Sequence, residues 1–345
     1  METRKLQQVG GGTYTVSLPK AWADEQGLEA GTEVHLYPYG DGSVVVRSAE
    51  RDREGLEAVT VELESTSPEP VVETLQAAYV AGFESVTLRA RRSFTDEQRR
   101  AARRANRGLV GTEVVTEREA AITIRNLLEP ADVSVRQSVV QLQFLALSIH
   151  RRATTTLRDG QRLDGDRLRE RADEADRIVR MITRHSSRAQ VSMAEVDRLG
   201  SSRSELFEYH ETATVLARIV ESGVAVAAAS DRLDGALPRD LRAELGSIAA
   251  SLEDAIEAAG TAVLEIDDVG AATASLASVA DARASLSGVD PAGVELLAGT
   301  GGASASAIVA STRLLDALTC TADHARRLSS LALRRAVRDR GSAID

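Results

Sequence analysis

The sequence predicts a multidomain α+β protein in which a strand-containing amino-terminal part is followed by a long all-helical part. Alternating polar and apolar residues, which are typical of strands, recur only before about residue 130. From about Ser134 onward, apolar residues recur instead at helical spacing. A chain of 345 residues is also too long for one ordinary core, so we expect several domains.

The first domain is predicted over residues 1–50 and consists of a few short strands. Residues 13–18 and 33–37 alternate in polarity, and 43–47 follows a Gly40-Asp41-Gly42 turn. The predicted order is strand, short helical turn, strand, hairpin and strand. So small a sheet buries too little apolar surface to be stable alone, and we therefore expect it to pair with a second copy.

The second domain is predicted over residues 51–130 as a small α/β connecting domain. Its elements follow the order βαβαββ, which indicates a mixed sheet. Thr95 is the predicted N-cap of the second helix. The predicted strands are 58–63, 85–88, 113–115 and 121–124, and the predicted helices are 70–82 and 95–106.

The remaining chain is predicted to form six helices in two runs of three, over residues 131–230 and 236–340. Two such runs indicate a duplicated three-helix bundle. The predicted helices are 134–157, 164–187, 202–230, 239–260, 267–286 and 303–338. The breaks between them are predicted at Gly160, Ser192, 234–238, Gly260 and 287–302.

Composition limits the kinds of partner and compartment. The formal net charge of −10 argues against a protein that coats nucleic acid along its whole surface, so any basic contact must be local. Lys5 and Lys20 are the only lysines, and this arginine bias suggests a salt-loving, GC-rich source. A single cysteine, Cys320, excludes an internal disulfide framework. Without a signal peptide or a long uncharged apolar run, we expect a soluble cytoplasmic protein with no membrane insertion.

The amino-terminal segment resembles the AbrB/SpoVT-type swapped-hairpin domain. The resemblance rests on residues 4–22, with their Val-Ser-Leu-Pro-Lys turn, and on a Gly-Leu-x-x-Gly-x-x-Val pattern over 27–34. It implies a β barrel built from two chains that binds DNA through basic residues on one face. The matching positions are Arg4, Lys5, Lys20 and Arg47. The alternative is a domain that only dimerises, since the segment carries more acidic than basic residues.

Two further segments resemble archaeal PhoU-family proteins. Residues 316–328, closing in 332–336, are similar to the last helix of that family, and 106–115 are similar to its connecting domain. The resemblance implies a PhoU-like pair of three-helix bundles and a regulator of phosphate uptake or phosphate-responsive transcription. The alternative is a non-DNA-binding adaptor that docks on a phosphate transporter ATPase or a sensor kinase. In either case we expect a homodimer or a higher oligomer.

A basic stripe is predicted on the second helix of the connecting domain. Its arginines follow three- and four-residue spacing, which places them on one side of the helix. They are Arg99, Arg100, Arg103, Arg104 and Arg107. Such a stripe could contact nucleic-acid phosphates or an acidic partner, and the alternative is a solvated face that pairs with acidic neighbours.

An acidic motif lies where PhoU-like proteins carry metal-binding carboxylates. Asp173 and Asp176 share one face of a predicted helix, and carboxylate oxygens suit Mg²⁺, Mn²⁺ or iron. The family's spacing is broken at Ala172, and the resemblance leaves Glu221 and Asp323 as the other acids. Divalent or iron ions are therefore a possible cofactor, and salt bridges to Arg177, Arg218 or Arg326 are the alternative.

The chain offers no pattern that indicates catalysis. Its histidines are scattered without the close pairing that a zinc site requires. Neither a nucleophile-and-base arrangement nor a paired-carboxylate motif can be identified, so we expect no enzyme activity.

Overall fold

The computed structural model describes residues 3–38, 42–48, 56–159, 164–233, 237, 239–265, 269–289 and 305–342. The chain divides into two compact units, Met1–Glu54 and Gly55–Asp345, called here the first and second units. The multidomain α+β class is confirmed, with small strands in the first unit and long helices at the end of the second.

The described part of the first unit contains two separate hairpins and one short helix. Strands β1 (Gln7–Val9) and β2 (Thr13–Thr15) pair antiparallel, as do β3 (His35–Pro38) and β4 (Val44–Arg47), and helix α1 (Lys20–Glu25) lies between the two pairs. The two sheets share no strand pairing. The predicted β barrel is therefore not closed within one chain, because each strand pair has only three or four residues per strand and no third strand among the described residues.

The described part of the first unit has no core. None of its residues is buried, and Leu6, Tyr14 and Leu36 are 70%, 66% and 62% exposed. A domain normally folds because it removes apolar side chains from water. In a single copy of this unit, the described apolar side chains are not fully removed from water in this way.

The second unit begins with a four-stranded sheet. Its elements are β5 (Ala58–Leu63), α2 (Glu69–Ala81), β6 (Ser85–Ala90), α3 (Asp96–Arg107), β7 (Thr112–Glu117) and β8 (Ala121–Asn126). The strand order is β5-β6-β8-β7, with β5 and β6 parallel and the other pairs antiparallel. The sheet is therefore mixed, and the elements follow the predicted order βαβαββ.

Helix α3 begins where its cap was predicted. The Thr95 hydroxyl accepts a hydrogen bond from the Gln98 amide at 3.2 Å, and the Gln98 side chain accepts one from the Thr95 amide at 3.0 Å. This capping box satisfies two amides that the first turn leaves without partners. The apolar side of α3 then packs with α2 and the sheet in a local core that includes Leu75, Leu88 and Ile122.

The helical part follows a short 3₁₀ turn, Pro130–Asp132. Its helices are α4 (Val135–Asp159), α5 (Gly165–Val191), α6 (Met193–Leu199), α7 (Arg203–Leu233), α8 (Arg239–Leu264), α9 (Val269–Gly288) and α10 (Ala305–Ser342). Helices α4, α5 and α7 pack together, as do α8, α9 and α10, while α4 against α8 and α7 against α10 join the two groups. One continuous core runs through both groups.

Two features of the helical part differ from the prediction. The short helix α6 was not predicted, because seven residues are too few to establish a helical period. Gly260 was predicted to end its helix, but α8 continues to Leu264. The glycine is needed for packing, since a Cβ there would lie 2.5 Å from Cδ of the Gln143 side chain on α4.

Several predicted boundaries fall outside the described residues. They are the Gly40-Asp41 turn, the break at Gly160, most of 234–238, the first residues of the helices predicted at 267–286 and 303–338, and most of the break at 287–302.

Within the described residues, α7 is the one helix long and apolar enough to cross a bilayer by length and composition. In the bundle, 61% of its most apolar window is buried against other parts of the protein. A core helix of a helical bundle meets the same criteria of length and composition.

Replacing two glycines of α8 by alanine tests the close approach to α4. At Gly246 a Cβ would make ordinary contacts of 3.5 Å or more, so we expect Gly246→Ala to stabilise the helix by about 0.5–1 kcal/mol. At Gly260 the new methyl group would displace the buried Gln143 amide, which donates to the Glu257 carbonyl oxygen at 3.2 Å. We therefore expect Gly260→Ala to be less stable than Gly246→Ala in thermal unfolding. Equal stabilisation by both variants would contradict the packing argument.

Candidate functional site

The predicted DNA-binding residues lie at the ends of the first unit's elements. Arg4 and Lys5 directly precede β1, and Lys20 is the first residue of α1. All three side chains are exposed. Arg47 lies in the second hairpin, with its guanidinium carbon 5.4 Å from the centre of the Tyr37 ring. The structure thus associates three of the four residues with the first hairpin and its connection to α1.

Charge in the described part of the first unit is balanced. That part contains four basic residues and four acidic residues. The basic ones are Arg4, Lys5, Lys20 and Arg47, and the acidic ones are Asp24, Glu25, Glu29 and Glu33. A balanced unit has little long-range attraction for a polyanion. Any affinity for DNA in this unit must therefore come from where its basic groups are placed.

The predicted arginine stripe on α3 is divided into two halves. Arg103 makes a two-point contact with Glu117 on β7, with Nε to Oε2 at 3.0 Å and Nη2 to Oε1 at 2.8 Å. Arg99 donates to the same carboxylate at 3.4 Å and to the Glu119 carbonyl oxygen at 3.0 Å. Hydrogen bonds from Arg103, together with the charges of both arginines, hold the pKa of Glu117 below its usual value.

The other half of the stripe points to solvent. Arg100, Arg104 and Arg107 are exposed, and no hydrogen bond or ion pair joins their guanidinium groups to any residue that the structure describes. Their spacing of four and three residues places them on one side of α3.

The predicted metal ligands are mostly paired with arginines. Asp176 lies 3.3 Å from Arg180, Glu221 lies 2.8 Å from Arg218, and Asp323 contacts Arg283. Burial raises the pKa of Asp176, and the nearby charges of Asp173 and Glu221 add to this effect.

Three of these four acids are thus neutralised by ion pairs. The structure places no group of three or more His, Cys, Asp or Glu where they could hold a metal ion, as far as the described residues are concerned. Of the three arginines named as alternative partners, Arg218 takes that role, whereas Arg180 and Arg283 were not anticipated.

A buried polar network joins α5 to the sheet, and sequence reasoning missed it. Arg184, 1% exposed, donates to the carbonyl oxygens of Tyr79 and Phe83, both at 2.9 Å. Arg188 donates to the Gly82 carbonyl oxygen at 2.8 Å. These carbonyls belong to the end of α2 and the turn after it, where backbone oxygens lack helical partners. Two arginines one turn apart therefore cap another helix.

Two glutamates balance these buried arginines. Glu84 lies 2.7 Å from Arg188, and buried Glu195 accepts from Arg188 at 2.9 Å and lies 2.7 Å from Nδ1 of His185. Burial alone would raise the pKa of Glu195, but hydrogen bonds from His185 and Arg188 outweigh it and hold that pKa below its usual value. Most charged groups of this network pair with one another, which suits a structural joint, while Nε and Nη2 of Arg184 and Nε2 of His185 are buried without a hydrogen-bond partner among the described residues.

Tyr79 and Gly82 complete the joint. The Tyr79 hydroxyl donates to the Val110 carbonyl oxygen at 3.0 Å, and burial raises its pKa to about 12. Gly82 has a φ of 105°, and a Cβ there would lie 2.6 Å from Cγ of Arg188. Gly82, the last residue of the predicted helix 70–82, was the available sequence signal for a left-handed cap.

Removing Arg188 should uncouple the sheet from α5. We expect Arg188→Met to lower the free energy of unfolding by about 3 kcal/mol or more, because it leaves Oε2 of Glu195 and the Gly82 carbonyl oxygen without the donors that Arg188 supplies. The matched control is Arg169→Met on the same helix, where an exposed pair with Asp166 is worth about 1 kcal/mol or less. Denaturant titration measures both variants, and equal losses would exclude a structural role for the network.

His150 predicts a dependence of stability on pH. Its ring is fully buried in α4, neither nitrogen has a described hydrogen-bond partner, and burial lowers its pKa from 6.5 to about 4. Between these pH values the unfolded chain binds the proton and the folded chain does not. Stability should therefore fall by about 3 kcal/mol as the pH drops from 6.5 to 4.

His150→Met keeps a side chain of similar size and removes this titration. We expect a flatter pH dependence of unfolding in the variant over the same window. An unchanged slope would show that other groups cause the acid sensitivity.

Comparison with known proteins identifies one region. The family model described as "Antidote-toxin recognition MazE, bacterial antitoxin" matches residues 7–54. No curated protein and no solved structure matches the chain. Residues 7–54 thus form a MazE/AbrB-like domain at the amino terminus, and the match coincides closely with the first unit.

Proposed function

We propose that the protein is a regulator that pairs through its first unit and binds DNA through Arg4, Lys5, Lys20 and Arg47. The observation that carries this proposal is the absence of any buried residue in the described part of that unit. Strands that expose their apolar side chains need a second surface to cover them. A second copy of the same unit supplies it.

The exposed apolar residues are distributed over both hairpins, which favours pairing between copies. Leu6, Val9, Tyr14, Val16 and Leu18 lie in or beside the first hairpin, and Leu36 and Val44 lie in the second. A two-stranded hairpin is marginally stable in water, whereas four strands from two chains can share a core. Pairing would bring two sets of the same basic residues into one particle.

DNA is the partner that the MazE/AbrB-like match and these basic positions support best. Contacts from lysine and arginine to phosphates would supply affinity, and contacts to base edges would select the sequence. Because basic and acidic residues are equal in number in the described part of the first unit, we expect it to contact few DNA phosphates. In the adaptor alternative, the protein pairs through its first unit but does not bind DNA.

Toxin recognition is a second candidate function. The matched family model is described as an antitoxin that recognises its toxin, and this description is its only support. On this alternative, the chain would bind a toxin protein in addition to, or in place of, DNA.

We further propose that the helical part of the second unit links this regulator to phosphate uptake. The similarity of residues 106–115 and 316–328 to archaeal PhoU-family segments supports this, as does the packing of six long helices in two groups of three. A phosphate transporter ATPase or a sensor kinase would then be the docking partner, and the protein itself would act without catalysis.

Pairing through the first unit is tested by two matched valine substitutions. Val16 and Val309 are exposed to similar extents, 55% and 50%. We expect Val16→Asp to shift the protein to a monomer in light scattering, because a carboxylate would be buried in the interface. Val309→Asp on α10 should leave the mass unchanged. A wild-type protein that is monomeric in dilute solution would refute the proposal.

DNA contact is tested by a salt titration of the wild type and of the variant Arg4→Gln/Lys5→Gln/Lys20→Gln. We expect wild-type affinity for its duplex to fall as salt rises, and the variant to lose affinity at least tenfold at low salt. Mapping the genomic sites that the protein occupies identifies the duplex to use. Comparing occupancy between phosphate-rich and phosphate-poor conditions tests whether the protein responds to phosphate. Absence of any occupied site would favour the adaptor alternative.

A further inference from the structure

We infer that the solvent side of α3 is a second DNA-contact surface, which binds the sugar–phosphate backbone of a duplex. The surface is formed by Arg100, Arg104 and Arg107 and is called here the α3 ridge. The inference rests on the proposed function, because it takes duplex DNA as the ligand. It concerns residues of the second unit alone.

The α3 ridge lies in a strongly basic segment of an acidic chain. Residues 89–107 contain eight arginines and two acidic residues, whereas the whole chain has a net charge of −10. The arginine-rich composition of the chain cannot explain this local excess, because acidic residues outnumber basic ones elsewhere. Arg91 and Arg92, just before α3, are also exposed and have no hydrogen bond or ion pair with any described residue.

The orientation of the ridge is set by the other sides of the helix. The capping box at Thr95 fixes where α3 begins, and Ala101, Ala102 and Ala105 are buried against the unit's core. Glu117 is occupied by Arg99 and Arg103 on a flank of the helix. The remaining arginines are therefore held towards solvent by a helix that is anchored on two sides.

The spacing of the ridge fits a phosphate backbone. A rise of about 1.5 Å per residue places the three arginines over about 10 Å of helix axis. Phosphates of one strand advance by about 3.4 Å along a duplex axis and also wind around it, so the ridge is long enough to contact about two or three neighbouring phosphates. Guanidinium groups bind phosphate oxygens through two parallel hydrogen bonds, which gives stronger contacts than lysine provides.

The lack of apolar anchors favours DNA over an acidic protein. Protein interfaces usually centre on buried aromatic or aliphatic side chains. Helix α3 contains no large apolar side chain, and the next exposed one along the chain is Val115 on β7. The ridge therefore offers charge and hydrogen-bond donors without an apolar centre, as a backbone-contacting surface does.

The test measures binding of the full-length protein to a mixed-sequence duplex of about 30 base pairs, between about 50 and 200 mM salt. The variant is Arg100→Gln/Arg104→Gln/Arg107→Gln, since glutamine keeps the helix propensity of arginine. We expect weaker binding and a slope of log affinity against log salt that is smaller by about 2–3 for each engaged ridge. The matched control, Arg313→Gln/Arg326→Gln/Arg327→Gln on α10, makes the same charge change at exposed positions and should leave the slope unchanged.

The outcomes separate this inference from the proposed function. If the ridge variant binds duplex with wild-type affinity and slope, the ridge is not a DNA surface, even where Arg4→Gln/Lys5→Gln/Lys20→Gln abolishes binding. If the ridge variant loses affinity for duplex and Arg4→Gln/Lys5→Gln/Lys20→Gln does not, the inference about the α3 ridge is supported. The proposed DNA contact of the first unit is then refuted. If the ridge variant loses binding to a polyglutamate peptide but not to duplex, an acidic protein is the partner and the inference is overturned.

Discussion

The second unit depends on a contact between two arginines of α5 and the carbonyl end of α2. That end of a helix has unpaired backbone oxygens and a partial negative charge, and burying it costs free energy unless donors reach it. Arg184 and Arg188 supply those donors, and Glu84 and Glu195 neutralise them. The sheet and the helical bundle each have their own core, and this joint is one of the contacts that connect them within one compact unit.

Arginine therefore has two different structural roles in the second unit. Inside the joint arginine is buried and donates to backbone oxygens, whereas on α3 the same residue type forms a paired flank and an exposed ridge. The Glu117 carboxylate pairs with Arg99 and Arg103. The arginines of the α3 ridge remain exposed to solvent. Arginines also form ion pairs with three of the four acids that the resemblance singled out as metal ligands.

Periodicity predicted the long elements well because their apolar faces repeat over many residues, and Thr95 was recognisable as a cap from its position before an amphipathic stretch. The joint could not be predicted, because charged residues such as Arg184 are expected at the surface and their partners lie about a hundred residues away. Gly260 was misinterpreted for a related reason: its neighbour Gln143 comes from another helix. In the first unit, the resemblance implied a barrel with strands from two chains, and one chain forms two separate strand pairs among its described residues.

If the first unit pairs as proposed, the absence of buried residues in its described part links its folding to the amount of protein present. A core that forms only between chains gains stability with the logarithm of chain concentration, and dilution alone can unfold it at constant temperature. On the proposed pairing, the number of binding-competent particles would rise with the square of the monomer concentration at low abundance. The level of expression would then itself act as a threshold for regulation.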